Sequence, residues 1–149
     1  MSLAEQAQAE REAAEEARRA AEEARRQAQE EAERKALENF ILVPTNTFFP
    51  FKPADYDKAD LFAAVAASER LAANEYAFGR IFHPSRDFVS DVVFVSQNGT
   101  DITFRTEDNA ISKRMKVESR TGLSAGQKVR IYYRAYRYED WEVKAIERR

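Results

Sequence analysis

Cysteine is absent, histidine occurs once, and glycine and proline occur four times each in 149 residues. Without cysteine there is no disulfide scaffold and no thiolate-ligated zinc or iron–sulfur centre. A single histidine excludes a metal centre built from several imidazoles. No run approaches the roughly eighteen apolar residues that a membrane helix needs. The glycines stand apart at Gly79, Gly99, Gly122 and Gly126, so there is no glycine-rich phosphate loop.

The net charge of −2 conceals two unlike parts. Residues 1–38 contain 12 Ala, 11 Glu, 7 Lys plus Arg and 4 Gln, a local charge of −4. All 17 aromatic residues, every glycine and every proline lie beyond residue 39. A segment without bulky apolar side chains cannot bury enough surface to make a core. The remaining 110 or so residues are the usual size of one domain. The sequence therefore predicts a helical stalk over 1–38, a Phe/Pro-rich connecting arm over 39–56, and a globular domain over 57–149.

The first segment consists of strong helix formers with no breaker, which predicts a continuous helix over Ala4–Glu38. Glu15–Arg19, Glu22–Arg26, Glu30–Arg34 and Glu31–Lys35 are i,i+4 pairs in the favourable orientation. Ala14, Ala17, Ala21, Ala24 and Ala28 follow a heptad spacing that loosens afterwards into steps of four. Alanine buries little area, so two readings stand side by side: a solvated single-helix spacer, or a self-associating coiled coil. Such stalks are similar to spacers that hold a domain away from a membrane anchor. Met1-Ser2-Leu3 reads as a native start or as a scar at a truncated end. In the second case an upstream anchor would tether the domain to a membrane or place it in the periplasm. Otherwise the chain is soluble and cytoplasmic by default.

Phe40-Ile41-Leu42-Val43 reads as a short strand or as a last helical turn docking on the domain, and Pro44 stops it. Pro44, Pro50 and Pro53 keep the following arm extended, with Phe48, Phe49 and Phe51 covering the core. A helix is expected from residue 57 to 78, capped by Asp55 or Asp57, with a stripe of Leu61, Phe62, Val65, Leu71 and Ala72 and a stop at Gly79.

Beyond Phe88 the period becomes two. Strands are expected at Phe88–Val95, Asp101–Thr106, Lys113–Glu118, Lys128–Tyr138 and Trp141–Ile146, with an Asn98-Gly99 hairpin after the first. Val129, Ile131, Tyr133 and Ala135 share the inner face of the fourth. Trp141, Val143 and Ala145 share one face of the fifth, with Ile146 opposite. Five short strands after a helix suggest a closed, bent barrel.

A helix ending Ala72-Ala73-Asn74-Glu75-Tyr76, a strand, an Asn-Gly hairpin, then Leu123-Ser124-Ala125-Gly126-Gln127-Lys128-Val129 entering a strand resembles bacterial OB-fold domains of the tRNA-anticodon-binding-like group, over residues 57–147. The resemblance implies an α+β fold: a small five-stranded antiparallel OB-like β-barrel with one packed helix, preceded here by the long N-terminal helix. An SH3-like barrel is the alternative topology.

The candidate surface is on the fourth strand. With Ile131, Tyr133 and Ala135 inward, Arg130, Tyr132, Arg134, Tyr136 and Tyr138 share the outer face. Rings interleaved with guanidinium groups suit single-stranded nucleic acid. The resemblance adds Arg105, Lys113, Arg114 and Lys116, since OB-folds bind oligonucleotides or oligosaccharides on strands two and three. Against this, residues 39–149 carry only +2, and Tyr and Arg are equally favoured in protein interfaces. His83, beside Ser85 and Asp87, has the elements of a triad only by adjacency in sequence, which supplies no geometry. The residues point to a non-catalytic binding or assembly module without cofactor or metal. Its expected partner is a protein or a second copy reached through residues 1–38. The alternative is single-stranded nucleic acid held on the fourth strand.

Overall fold

The computed structural model describes residues 2–45, 51–71 and 84–149. The chain separates into two units at Asn39/Phe40.

The first unit is one helix, α1 (Leu3–Ala36), 34 residues long. At 1.5 Å per residue it extends about 50 Å. The Ser2 hydroxyl caps its start by accepting from the Glu5 amide, and Arg34 and Lys35 complement the dipole in the last turn. Glu15–Arg19 and Glu31–Lys35 form the expected i,i+4 pairs at 3.8 Å, whereas Arg26 and Arg34 pair at i,i+3 with Glu23 and Glu31. None of its residues is buried. The composition dictates this, because alanine methyls and charged tips offer nothing to a core.

The second unit is α+β: a mostly antiparallel seven-stranded sheet in which five strands form a ring. The ring strands are β3 (Ser85–Asn98), β4 (Asp101–Arg105), β5 (Ser112–Lys116), β6 (Lys128–Tyr136) and β7 (Glu142–Arg148). β3 pairs with both β4 and β6, β4 with β5, and β6 with β7. A single parallel bridge, Lys116↔Glu142, closes the ring between β5 and β7. Two short strands are added outside it: β1 (Phe40–Leu42) on β7, and β2 (Asp57–Lys58) parallel to β3. Glu147 pairs with both Phe40 and Arg130, so β1 takes the β7 edge opposite β6. By the same logic Phe88, shared by Asp57 and Tyr133, puts β2 on the far edge of β3.

Alternate residues of the ring strands, among them Phe88, Val92, Ile102, Phe104, Met115, Ile131 and Tyr133, meet in one core. The helix α2 (Leu61–Arg70) adds Leu61, Ala64 and Ala67 to it. The Ser68 hydroxyl donates to the Tyr136 carbonyl at 2.6 Å, and the Trp141 indole N–H donates to the same oxygen at 3.1 Å. This carbonyl ends β6, so the two side chains satisfy the acceptor that the ladder leaves over.

Several expectations are corrected. The second helix starts at Leu61, not at residue 57, because Asp57 and Lys58 are taken by β3. Its cap is Asp60, which accepts from the Ala63 amide at 2.6 Å. Its buried stripe is Leu61, Ala64, Ala67, Ser68 and Leu71, while Phe62 is 68% exposed. β3 begins at Ser85, three residues before the expected Phe88. The third ring strand stops at Lys116 rather than Glu118. β6 ends at Tyr136, which leaves Tyr138 in the following loop. The hairpin loop is Gly99-Thr100 rather than Asn98-Gly99, with Asn98 paired to Asp101. Gly99 alone in that loop has positive φ, +62°, the first-position glycine of a type II′ turn. Ile146 joins Trp141 and Val143 in the core instead of opposing them. Tyr133 pairs with Val143 and Tyr132 with Ala145, so Lys144 is an unmatched residue that shifts the period of β7. The stretch Ala72–Tyr76, the Gly79 stop, Phe48, Phe49 and His83 lie outside the described residues.

Candidate functional site

The outer face of β6 is built by register. In an extended strand residues two apart share a face, so Arg130, Tyr132 and Arg134 point together. Their neighbours on β3 are Asp91, Val89 and Asp87, and on β7 Glu147, Ala145 and Glu142. Two charged rungs therefore flank one aromatic rung.

In one rung Arg130 donates to Asp91 at 2.8 Å and lies 3.5 Å from Glu147. Asp91 also faces Arg149 at 3.7 Å. In the other, the Arg134 guanidinium holds both oxygens of Asp87, at 2.8 and 3.3 Å. The Arg130 hydrogen bond keeps the Asp91 carboxyl below its ordinary value, and Asp91 in turn raises Arg130. Asp87 likewise raises Arg134.

Tyr132 lies between the rungs and is 6% exposed. Phe40, Phe51 and Tyr56 cover it, with ring centroids 5.5, 5.2 and 5.4 Å from its own. Its hydroxyl donates to Glu147 at 3.1 Å. Burial, and then the Glu147 carboxylate, push the Tyr132 phenol up to about 12. β1 is fixed on one side of the β7–β6–β3 face and β2 on the other. Between them, residues 51–56 lie over β6 as a strap that sets Phe51 and Tyr56 over Tyr132.

The predicted surface is partly brought together and partly not. Arg130, Tyr132, Arg134 and Tyr136 share the face. Tyr136 donates its hydroxyl to Glu142 at 3.3 Å. Tyr138 stands apart, 62% exposed, with the Arg137 guanidinium 5.4 Å from its ring. Arg105 is on the outer face of β4, donating to the Thr106 carbonyl at 3.0 Å. Lys116 is held by Asp101 and Asp140. Lys113 lies 4.5 Å over the Trp141 ring. Sequence reasoning missed Asp87 and Asp91 as partners. Their four-residue spacing on one strand matches that of Arg130 and Arg134 on another, a signal that only the pairing made specific.

Beside this face an open groove of about 360 Å³ is lined by Pro53, Lys58, Asp60, Val89, Arg130 and Tyr132. Among the described residues no group of three acidic or histidine side chains is placed to hold a metal ion. No described helix is long and apolar enough to cross a membrane. Compared with known proteins, the chain matches no family model, no curated protein and no solved structure.

Proposed function

We propose that this chain is a non-catalytic assembly module, an OB-like barrel that engages protein partners and carries a helical stalk for spacing or self-association. The observation that carries the reading is α1: 34 residues, capped at its start, none of them buried. A helix of that length with none of its residues buried is suited to a role outside its own chain. The barrel reading is supported by the ring order β3-β4-β5-β7-β6 and by its single interior core. Light scattering on the whole chain and on residues 39–149 tests the association. A concentration-dependent mass above the monomer, lost with residues 1–38, is expected; a monomer in both cases rejects self-association and leaves the spacer role.

The second reading, binding of single-stranded nucleic acid, loses support on β6. A phosphate there would have to displace a carboxylate from each guanidinium, and Tyr132 is already covered by the strap. It keeps support on β4 and β5, where Arg105 and Arg114 form no ion pair among the described residues, although Arg114 lies near the Asp101 carboxylate. Oligonucleotide titration at two salt concentrations tests it, with affinity that falls steeply as salt rises.

A further inference from the structure

The ring is weakest where β5 meets β7. Only Lys116↔Glu142 pairs there, through the Lys116 amide donating to the Trp141 carbonyl at 2.7 Å. Ahead of Lys116, β5 has no further register with β7. The Val117 amide donates to Thr100 and the Thr106 amide to Ile111, both across the β4–β5 hairpin. By the alternation of an antiparallel ladder, the backbone groups of Ser112 and Arg114 point the other way, away from β4.

Among the described residues no backbone group pairs with Ser112 or Arg114 on that side, and we propose that this edge of β5 accepts an extended acidic peptide as an added strand. An unpaired edge offers alternating donors and acceptors, which another backbone matches on both counts. A phosphodiester has acceptors only and would leave the Ser112 and Arg114 carbonyls unmatched, so the edge favours peptide over nucleic acid. The charge is complementary to acid. Arg105, Lys113 and Arg114 form no ion pair among the described residues, and Arg137 stacks on exposed Tyr138 in the adjoining loop. The nearby carboxylates of Asp101 and Asp140 are engaged by Lys116, and Glu139 is itself engaged. Lys113 over Trp141 seals the core beneath, so a strand can be added without opening it.

The inference rests on the reading of the ring unit as a protein-binding module, and not on α1. The test uses the full chain and three fluorescent probes: a peptide of about ten residues alternating Glu and Val, its Lys/Val counterpart, and a single-stranded oligothymidylate. The Glu/Val peptide is expected to bind, and to slow amide exchange at Ser112 and Arg114. Arg114→Glu is expected to weaken it about tenfold, while Arg148→Glu, at the far end of β7, leaves it unchanged. Circular dichroism confirms that both variants fold. Absent peptide binding, tighter binding of the oligonucleotide, an unaffected Arg114→Glu variant, or protection elsewhere on the ring would each overturn the proposal. Light scattering of the same samples reports self-association separately, so its loss is not confused with loss of the edge.

Discussion

The hydroxyls of Ser90 and Tyr133 lie 2.7 Å apart inside the ring. Ser90 is 2% exposed and Tyr133 is fully buried. Ser90 has one hydrogen, which it donates to the Ala59 carbonyl, so Tyr133 is the donor between the two hydroxyls. This chain ties the segment before α2 to β3 and β6. Tyr133 is further held by stacking on Trp141, with centroids 5.5 Å apart and planes at 14°.

Removing one member leaves buried polar groups without partners. Ser90→Ala is expected to destabilise the ring unit by about 1–3 kcal/mol. Ser90→Ala combined with Tyr133→Phe should cost less than the sum of the two single changes, since together they remove the orphaned phenol. Denaturant unfolding of the four proteins checks this; additive losses would show that the two hydroxyls are not coupled.

The strap depends on aromatic packing over Tyr132. Phe51→Ala is expected to cost about 2–4 kcal/mol, at or below the range for a large ring in a core, because Phe51 is only half-buried. Limited proteolysis should then cut within residues 51–56 while β3–β7 stay intact. Protection equal to the parent protein would mean that the strap is held by β1 and β2 alone.

Phenols raised by burial weaken the fold on the alkaline side. Tyr132 titrates at about 12 when folded and near the ordinary 10 when unfolded. Its contribution is therefore complete below pH 10 and is lost as pH rises toward 12, because the folded state holds the proton longer. Tyr56, Tyr133 and Tyr136 are shifted in the same direction by burial. Stability measured between pH 9 and 12 should fall, and Tyr132→Phe should make that fall shallower.

Asp91 acts at the other end of the scale. Its carboxyl is held low by Arg130, so its contribution is present above the unfolded value of about 4 and disappears as pH drops below it. Asp91→Asn should lower stability at pH 7 and flatten the acid limb. An unchanged acid profile would show that the charged rung contributes nothing measurable, as exposed pairs often do.

Gly99 has φ +62° and nothing within 4 Å of where a Cβ would stand. Gly99→Ala therefore tests backbone strain alone, with an expected cost of about 1–2 kcal/mol.

Much of this architecture was legible in the residues themselves. The Ala/Glu/Arg run reads as a helix that adds nothing to the chain's own core, since it has no bulk to bury there and no breaker to stop it. The alternation Val129, Ile131, Tyr133, Ala135 fixed an inner face, because strand geometry places every second side chain together. The fate of the opposite face was not legible. Arg130, Tyr132 and Arg134 look like an open binding stripe until pairing sets Asp91 and Asp87 beside them and the strap lays Phe51 across them. Register and strap depend on contacts between residues dozens of positions apart, and local sequence carries no record of which distant strand will be the neighbour. The side on which Ile146 lies turned on one unmatched lysine, which only the paired strand beside it reveals.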